Sequence, residues 1–164
     1  MKTSRRNMLK TAAQKSVMAA AAAAGGAALV AQAGAQPRLE KRNPMAPPPA
    51  PGAPAPARSM YSAAVAYGNM VFLSGIGYHQ PGTIEDHTHG VIKELEQNLI
   101  KAGSSLQKCL KVSVFLNDLK DYDRMNAVYR TYDWGNVAPV RTTVAPAAGI
   151  PGNSLIEIDV IAYI

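Results

Sequence analysis

Seven prolines lie between Pro44 and Ala57, and this run separates two parts of the chain with different compositions. Each proline fixes φ and removes a backbone N–H donor, so neither a helix nor a sheet continues through the run. The composition predicts an extended, semi-stiff linker over residues 36–58. A docking role for the proline run is the alternative, although composition favours a plain spacer.

The residues before the linker have the order of an export signal. A basic start, Ser4-Arg5-Arg6-Asn7-Met8-Leu9-Lys10, precedes an uncharged alanine-rich stretch and a small-residue segment. This order predicts a signal peptide over residues 1–35, cleaved after Ala33 or Ala35. The arginine pair resembles the twin-arginine export signal, which implies a bacterial periplasmic or secreted location. A retained membrane anchor is the alternative, but the stretch has few bulky apolar side chains.

Most of the positive charge lies outside the part of the chain that can fold. The formal net charge is +6, and five basic side chains without an acid lie in residues 1–35. Residues 59–164 hold 8 basic and 10 acidic side chains. Such a balance does not favour a nucleic-acid partner. The single cysteine, Cys109, excludes an intramolecular disulfide and a multi-cysteine metal site.

Residues 59–164 alternate apolar segments with turn signals and predict one α/β domain. The tripeptide Tyr67-Gly68-Asn69 predicts a hairpin, and helical spacing predicts a helix over 88–102 that ends at Gly103. A strand follows with Leu110, Val112, Val114 and Leu116 on one face.

The rest of the domain predicts a second helix and two further strands. The helix is expected over 121–134 with Asp121 as its cap, and the strands over 140–145 and 155–163. The order β-β-α-β-α-β-β predicts an α+β sandwich, in which two helices cover one face of a mixed sheet. Neither face of the last strand is all polar, because one face is apolar and the other mixes apolar and acidic residues. This predicts burial of the open face in a homo-oligomer.

Arg141 and Glu157 are the candidate reactive residues on the last two strands. Thr143 lies two residues after Arg141 and therefore on the same strand face. A strand arginine beside apolar residues requires a partner, and its planar fork suits a carboxylate. Two interpretations follow from the residues alone: a structural ion pair of Arg141 with Glu157 or Asp159, or a site for a carboxylate ligand.

Several segments of the domain occur in the order found in one known family. They are Ser74-Gly75 after an apolar run, Lys101-Ala102-Gly103-Ser104-Ser105-Leu106, Lys111-Val112-Ser113-Val114-Phe115-Leu116-Asn117-Asp118, Met125-Asn126-Ala127-Val128-Tyr129, Pro139-Val140-Arg141-Thr142-Thr143-Val144 and Ile156-Glu157-Ile158-Asp159-Val160. Together they resemble the Rid family, the reactive-intermediate deaminases or YjgF-type proteins. The resemblance implies a chorismate-mutase-like fold, a homotrimer with three clefts between subunits, and hydrolysis of 2-imino acids such as 2-iminopropanoate and 2-iminobutanoate to 2-oxo acids and ammonia. It implies neither a cofactor nor a metal.

The same resemblance implies roles for the two candidate reactive residues. Arg141 matches the arginine of the family motif P-A-R-S/T and would hold the substrate carboxylate bidentately. Glu157 matches the glutamate of the motif I-E-I-E/D and would position or activate the attacking water. Imine hydrolysis also needs a proton donor to nitrogen, so orientation supplies much of the rate.

Five further residues are carried over as substrate-binding positions. Tyr61 matches a tyrosine that closes the cleft, and Ser74 with Gly75 matches the S-G turn. Asn126 matches the asparagine of V-N-x-x-Y, and Thr143 stands where many members have cysteine. The loop over residues 76–87 departs from the family pattern, which leaves the substrate range open.

Two other functions remain as alternatives at this stage. A non-catalytic trimer that binds a small carboxylate is favoured by the altered loop and by the export signal. Ribonuclease activity, historically attached to the family, is opposed by the charge of the domain. The histidines His79, His87 and His89 are expected to be ordinary surface residues rather than metal ligands. Cys109 immediately precedes an apolar strand, which predicts a buried or inert thiol rather than a nucleophile.

Overall fold

A mixed five-stranded sheet, with strand order β1-β2-β5-β3-β4, forms the framework of the domain. This computed structural model describes residues 39–48, 50–54, 57 and 59–164. The elements are β1 (Ala64–Tyr67), β2 (Met70–Gly77), α1 (Ile84–Lys101), β3 (Cys109–Leu116), α2 (Tyr122–Tyr129), β4 (Val140–Val144) and β5 (Ile156–Tyr163). Their order confirms the predicted β-β-α-β-α-β-β arrangement. The predicted signal peptide lies outside the described residues.

The strand pairing explains why the sheet is mixed. β1 and β2 form the predicted antiparallel hairpin, with Tyr67 opposite Met70 and Gly68 in the left-handed region at φ 59°. β5 pairs antiparallel with β2 and β3, whereas β3 pairs parallel with β4 through the α2 crossover. The two edges of the sheet are therefore β1 and β4.

The core lies between the sheet and one layer of helices. The side chains of β5 alternate as expected for a half-covered strand, with four residues buried against the helices. These residues are Ile156, Ile158, Val160 and Ala162. They pack in one cluster with the α1 stripe Val91, Ile92, Leu95 and Leu99. A single covered face leaves the other face of the sheet open.

Helix α1 begins earlier than its apolar periodicity predicts. It starts at Ile84 rather than at residue 88, because Thr83 and Asp86 form a capping box that satisfies the first backbone donors. Asp86 accepts hydrogen bonds from the Thr83 backbone N–H at 2.8 Å and hydroxyl at 2.9 Å, and these bonds lower the pKa of Asp86. The helix start was missed because aspartate occupies the position where the usual box has glutamate or glutamine.

Removal of the cap is expected to destabilise the domain. The variant Thr83→Ala leaves the Asp86 N–H without its side-chain acceptor and should lower the free energy of unfolding by about 1 kcal/mol. The variant Thr83→Ser keeps the hydroxyl and should stay close to the wild type. Urea denaturation of the three proteins measures the difference, and equal midpoints for alanine and serine would refute the capping box.

Helix α2 is shorter than the predicted 121–134. A 3-10 turn, Leu119–Asp121, precedes it, and Asp121 makes no side-chain cap. Instead, the Asp121 carboxylate lies 3.5 Å from Arg124, so the predicted capping role is wrong. The helix stops at Tyr129 because the chain folds back there. Trp134 stacks on Tyr129 at 4.4 Å and donates its indole N–H to the Tyr129 carbonyl at 3.1 Å.

One residue of β3 does not follow the predicted alternation. Val112, Val114 and Leu116 are buried as expected, but Leu110 is 44% exposed. The pairing between β3 and β5 shifts between Cys109 and Lys111, which inserts Leu110 as an extra residue and turns it outward. The assignment of Leu110 to the core face was therefore wrong.

A short segment of the predicted linker pairs with the β1 edge of the sheet. Arg42 and Ala66 exchange two backbone hydrogen bonds, of 3.0 and 2.8 Å. Met45 is partly buried against the core cluster. This segment covers part of an edge that would otherwise expose unpaired backbone groups. In the described part of the chain, none of the helices has the length and apolarity required to cross a membrane.

Candidate active site

Arg141 lies on the edge strand β4 and on the sheet face that the helices cover. It is in register with Val112 of β3, whose side chain is fully buried. Its guanidinium carbon lies 4.7 Å from the ring centroid of Tyr129 in α2. Stacking uses the flat face of the guanidinium and leaves its in-plane N–H donors for a planar anion. Burial raises the pKa of Tyr129, so its hydroxyl remains neutral beside this cation.

Thr143 shares the sheet face of Arg141, and Asn126 lies on α2, the helix that carries Tyr129. Thr143 is in register with Val114, and its hydroxyl is buried without a hydrogen-bond partner among the described residues. Asn126 is buried in α2, one helical turn before Tyr129. Buried polar groups normally have partners, so the Thr143 hydroxyl is available to a ligand or to another chain.

Glu157 lies on the open face of the sheet, against a bulge in β2. The pairing of β2 with β5 shifts between Leu73 and Ile76, which places Ser74 and Gly75 in the bulge. A Cβ on Gly75 would overlap Oε1 of Glu157 and lie 2.7 Å from its carboxyl carbon. Only glycine leaves room for the carboxylate here. Ser74 donates its hydroxyl to the Ala63 carbonyl at 3.3 Å, which fixes the bulge to the chain before β1.

A shallow pocket of about 110 Å³ adjoins the Glu157 carboxylate. Its lining is largely apolar and comes from β3 and from the loop before β5. The residues are Phe115, Pro146, Gly149, Ile150, Pro151 and Glu157. An apolar wall beside a carboxylate can hold a short aliphatic side chain while the carboxylate acts on a polar group.

The predicted ion pair of Arg141 with Glu157 or Asp159 does not form. Glu157 and Asp159 are in register with Phe115 and Ser113 of β3, on the face opposite to buried Ile158. Arg141 points to the helix-covered face, so the thickness of the sheet separates it from both carboxylates. Within the described residues, no carboxylate lies within 4.0 Å of the Arg141 guanidinium.

Tyr61 is separate from both groups. It precedes β1 by three residues, and its side chain is 76% exposed. The candidate residues of one chain thus form two groups: Arg141, Thr143 and Asn126 on the covered face, and Glu157, Gly75 and Ser74 on the open face. One copy of the chain cannot bring both groups to the same small molecule.

The open face of the sheet and its edge expose large apolar side chains. Phe72, Val140, Val144 and Tyr163 are each at least 40% exposed. The prediction that this face mixes apolar and charged residues is confirmed, because Glu157 and Asp159 share it. Several exposed apolar side chains on one sheet face are typical of an interaction surface.

One of the three histidines differs from its predicted setting. His79 and His89 are exposed, as predicted, but His87 is only 3% exposed, so its assignment to the surface was wrong. It lies in the first turn of α1, where its ring packs against Tyr78 and its Nδ1 contacts the Leu155 backbone. In the described ranges, no three histidine, cysteine or carboxylate side chains cluster closely enough to bind a metal ion.

Cys109 is a buried thiol, as predicted. Burial raises its pKa to about 12, because the interior disfavours the thiolate. A thiol that stays protonated is a poor nucleophile, so Cys109 has no part in the candidate site.

Two neighbours of the candidate residues were not predicted as site residues. Tyr129, assigned to the core, also lies under Arg141, and Phe115 stands beside Glu157. The spacing that places Asn126 and Tyr129 on one helix face is the sequence signal that pointed to Tyr129. The position of Phe115 beside Glu157 depends on the register between β3 and β5, which no local pattern specifies.

Comparison with known proteins agrees with this fold. Residues 52–164 match the family described as Endoribonuclease L-PSP. Protein mmf2, mitochondrial, of Schizosaccharomyces pombe is 43% identical over 110 residues, 62% of this chain and 86% of that protein. The 2-iminobutanoate/2-iminopropanoate deaminase of Rattus norvegicus is 34% identical over 109 residues, 62% of this chain and 78% of that protein.

A solved structure extends the comparison to the fold. The crystal structure of E. coli TdcF with bound serine superimposes with a TM-score of 0.60 at 27% identity, over 66% of this chain and 91% of that one. The family match spans most of the chain and includes every strand of the sheet and both α-helices. The chain therefore belongs to the L-PSP family, the Rid or YjgF-type proteins that its motifs resemble.

Proposed function

We propose that this protein is an imine deaminase that hydrolyses 2-imino acids to 2-oxo acids and ammonia. The observation that carries the proposal is the state of Arg141. Its guanidinium is held against Tyr129 while its N–H donors have no carboxylate partner among the described residues. An arginine fixed in this way is suited to bidentate binding of a substrate carboxylate. The name of the rat relative, a 2-iminobutanoate/2-iminopropanoate deaminase, supports the same substrate class.

The proposed site is shared between copies of the chain. Arg141 and Glu157 lie on opposite faces of one sheet, so a substrate that contacts both must lie between two subunits. The exposed apolar residues Val140 and Val144 flank Arg141 on its own strand and favour such packing. We propose the homotrimer that the family resemblance implies, with three equivalent sites.

The proposed reaction proceeds through a carbinolamine. Arg141 binds the carboxylate of the imino acid and presents the imine carbon to a water molecule held by Glu157. As the new C–O bond forms, Glu157 accepts a proton from the water. That proton passes to the imine nitrogen, which gives the neutral carbinolamine. Glu157 then accepts the carbinolamine hydroxyl proton and returns it to the amine nitrogen, so that the C–N bond breaks and ammonia leaves as the C=O bond forms. Pre-orientation of water and substrate supplies most of the rate.

Ammonia release is the direct test of this activity. 2-Iminopropanoate and 2-iminobutanoate are generated in situ from the amino acids, and release is followed with purified protein and with the matched variant Glu157→Gln. We expect the wild type to accelerate hydrolysis above the spontaneous rate and the variant to lose that acceleration. An unaccelerated reaction with folded wild-type protein would refute the proposal.

A non-catalytic carboxylate-binding protein is the second candidate. The solved relative with bound serine favours it, because serine carries a carboxylate but no imine. Titration calorimetry with serine and with 2-oxobutanoate distinguishes the candidates when combined with the ammonia assay. Binding that depends on Arg141 without turnover would support the second function. The charge of residues 59–164 does not favour a ribonuclease.

We further propose that the protein is exported in folded form by the twin-arginine route. The basic segment with Arg5 and Arg6 and the small-residue cleavage site support export. The double variant Arg5→Lys, Arg6→Lys should accumulate uncleaved in the cytoplasm, whereas the wild type should be found in the periplasm. Fractionation followed by mass spectrometry measures both, and unchanged export of the double variant would refute this route.

A further inference from the structure

His87 is a buried histidine that the proposed reaction does not use. It lies in the first turn of α1 and is 3% exposed. Its Nδ1 lies 3.1 Å from the backbone N–H of Leu155, and its ring packs edge-on against Tyr78 with 5.3 Å between centroids. Because the Leu155 N–H can only donate, Nδ1 is the acceptor of this hydrogen bond.

The partner of His87 belongs to the segment that leads directly into β5. Ser154 accepts a hydrogen bond from the Tyr78 N–H at 2.9 Å and donates to the Ile156 carbonyl at 2.6 Å. The Leu155 carbonyl accepts from the Asn117 N–H at 2.9 Å. His87 therefore joins the backbone N–H of Leu155 to the helix layer, two residues before Glu157.

The loop before this segment also forms the wall of the Glu157 pocket. Gly149, Ile150 and Pro151 line that pocket. The next residue, Gly152, is also held by a histidine, because its carbonyl accepts a hydrogen bond from His79 Nδ1 at 2.7 Å. His79 and His87 therefore hold the backbone at Gly152 and Leu155, between the pocket wall and Glu157.

We propose that His87 is a positioning residue for Glu157. Its Nδ1 holds the Leu155 backbone, fixes where β5 begins and thereby sets the place of the Glu157 carboxylate against Gly75. This inference rests on the proposed function, in which Glu157 holds the attacking water. Without the acceptor, the Leu155 N–H loses its partner and the segment shifts to find another. A displacement of about 1 Å near a reacting group can lower the rate by about 100-fold.

Two substitutions of His87 separate the effect of its hydrogen-bond acceptor from the effect of its side-chain volume. In His87→Asn, the amide oxygen occupies the place of Nδ1 and can accept from Leu155. In His87→Leu, the apolar volume stays and the acceptor is lost. We expect His87→Leu to lower kcat by about 10- to 100-fold with KM changed by less than about threefold, and His87→Asn to restore most of kcat. Equal turnover in the two variants would overturn the inference.

Amide hydrogen exchange gives a readout that does not depend on turnover. Exchange at Leu155 and Glu157, followed by NMR in the absence of substrate, should be faster in His87→Leu than in the wild type and in His87→Asn. If the wild type proves inactive, this comparison still tests the contact, and unchanged protection in His87→Leu would refute it. Should His87→Leu fail to fold, His87→Gln replaces it, because its amide extends past the Nδ1 position.

Discussion

Replacement of Arg141 by alanine is expected to lower kcat/KM for imino acids by about 100- to 1000-fold. Loss of one partner from a desolvated charge pair costs about 2–5 kcal/mol, and a factor of ten corresponds to about 1.4 kcal/mol. Arg141→Lys should recover little, because a point charge replaces neither the bidentate fork nor the stacking on Tyr129. Steady-state kinetics with 2-iminobutanoate measures both effects.

The control for this prediction is an arginine that lies near α2 but outside the site. Arg130 is exposed at the end of α2, and Arg130→Ala should leave kcat/KM unchanged. The stability of Arg141→Ala should fall by only about 0.5–1 kcal/mol, the usual worth of a partly exposed cation–π contact. Wild-type kinetics in Arg141→Lys would contradict the role assigned to the guanidinium.

The second large effect is expected from a single added methyl group. In Gly75→Ala, the new Cβ would overlap Oε1 of Glu157, so the carboxylate must move. A carboxylate at the end of a flexible side chain can move at little cost in stability, but it then leaves its place in the pocket. We expect kcat to fall by about 100-fold while the urea midpoint stays near that of the wild type.

A double-mutant cycle assigns this loss to Glu157. When Glu157→Ala has already removed the carboxylate, Gly75→Ala should cause no further loss of activity, because the two residues act through one contact. Additive losses in the double variant would show that Gly75 acts on the reaction by another route.

The sequence was sufficient for most of the fold because its signals are local. Alternation along β5 predicted a strand with two candidate faces, and helical spacing along α1 predicted the buried face of that helix. The boundaries failed where a particular contact decides them. The Thr83–Asp86 capping box lengthened α1, and the stacking of Trp134 on Tyr129 accompanied the early end of α2.

The arrangement of the site was harder to predict than its residues. Arg141 and Glu157 were identified from the motifs, but the relation between them depends on which strand face each occupies. That relation is set by the long-range register of β3 with β4 and β5, and by bulges at Leu110 and at Ser74-Gly75. The burial of His87 was missed for the same reason, since its partner Leu155 is 68 residues away.

Mixed oligomers test the shared site most directly. Chains with Arg141→Ala and chains with Glu157→Gln are co-expressed with different affinity tags, and only oligomers that carry both tags are kept. In a mixed cyclic trimer, one of the three interfaces joins an intact Arg141 to an intact Glu157. A site shared in this way should therefore give about one third of the wild-type rate from two variants that are each inactive alone. Mixed trimers without activity, beside an active wild type, would contradict a site built from Arg141 of one copy and Glu157 of another.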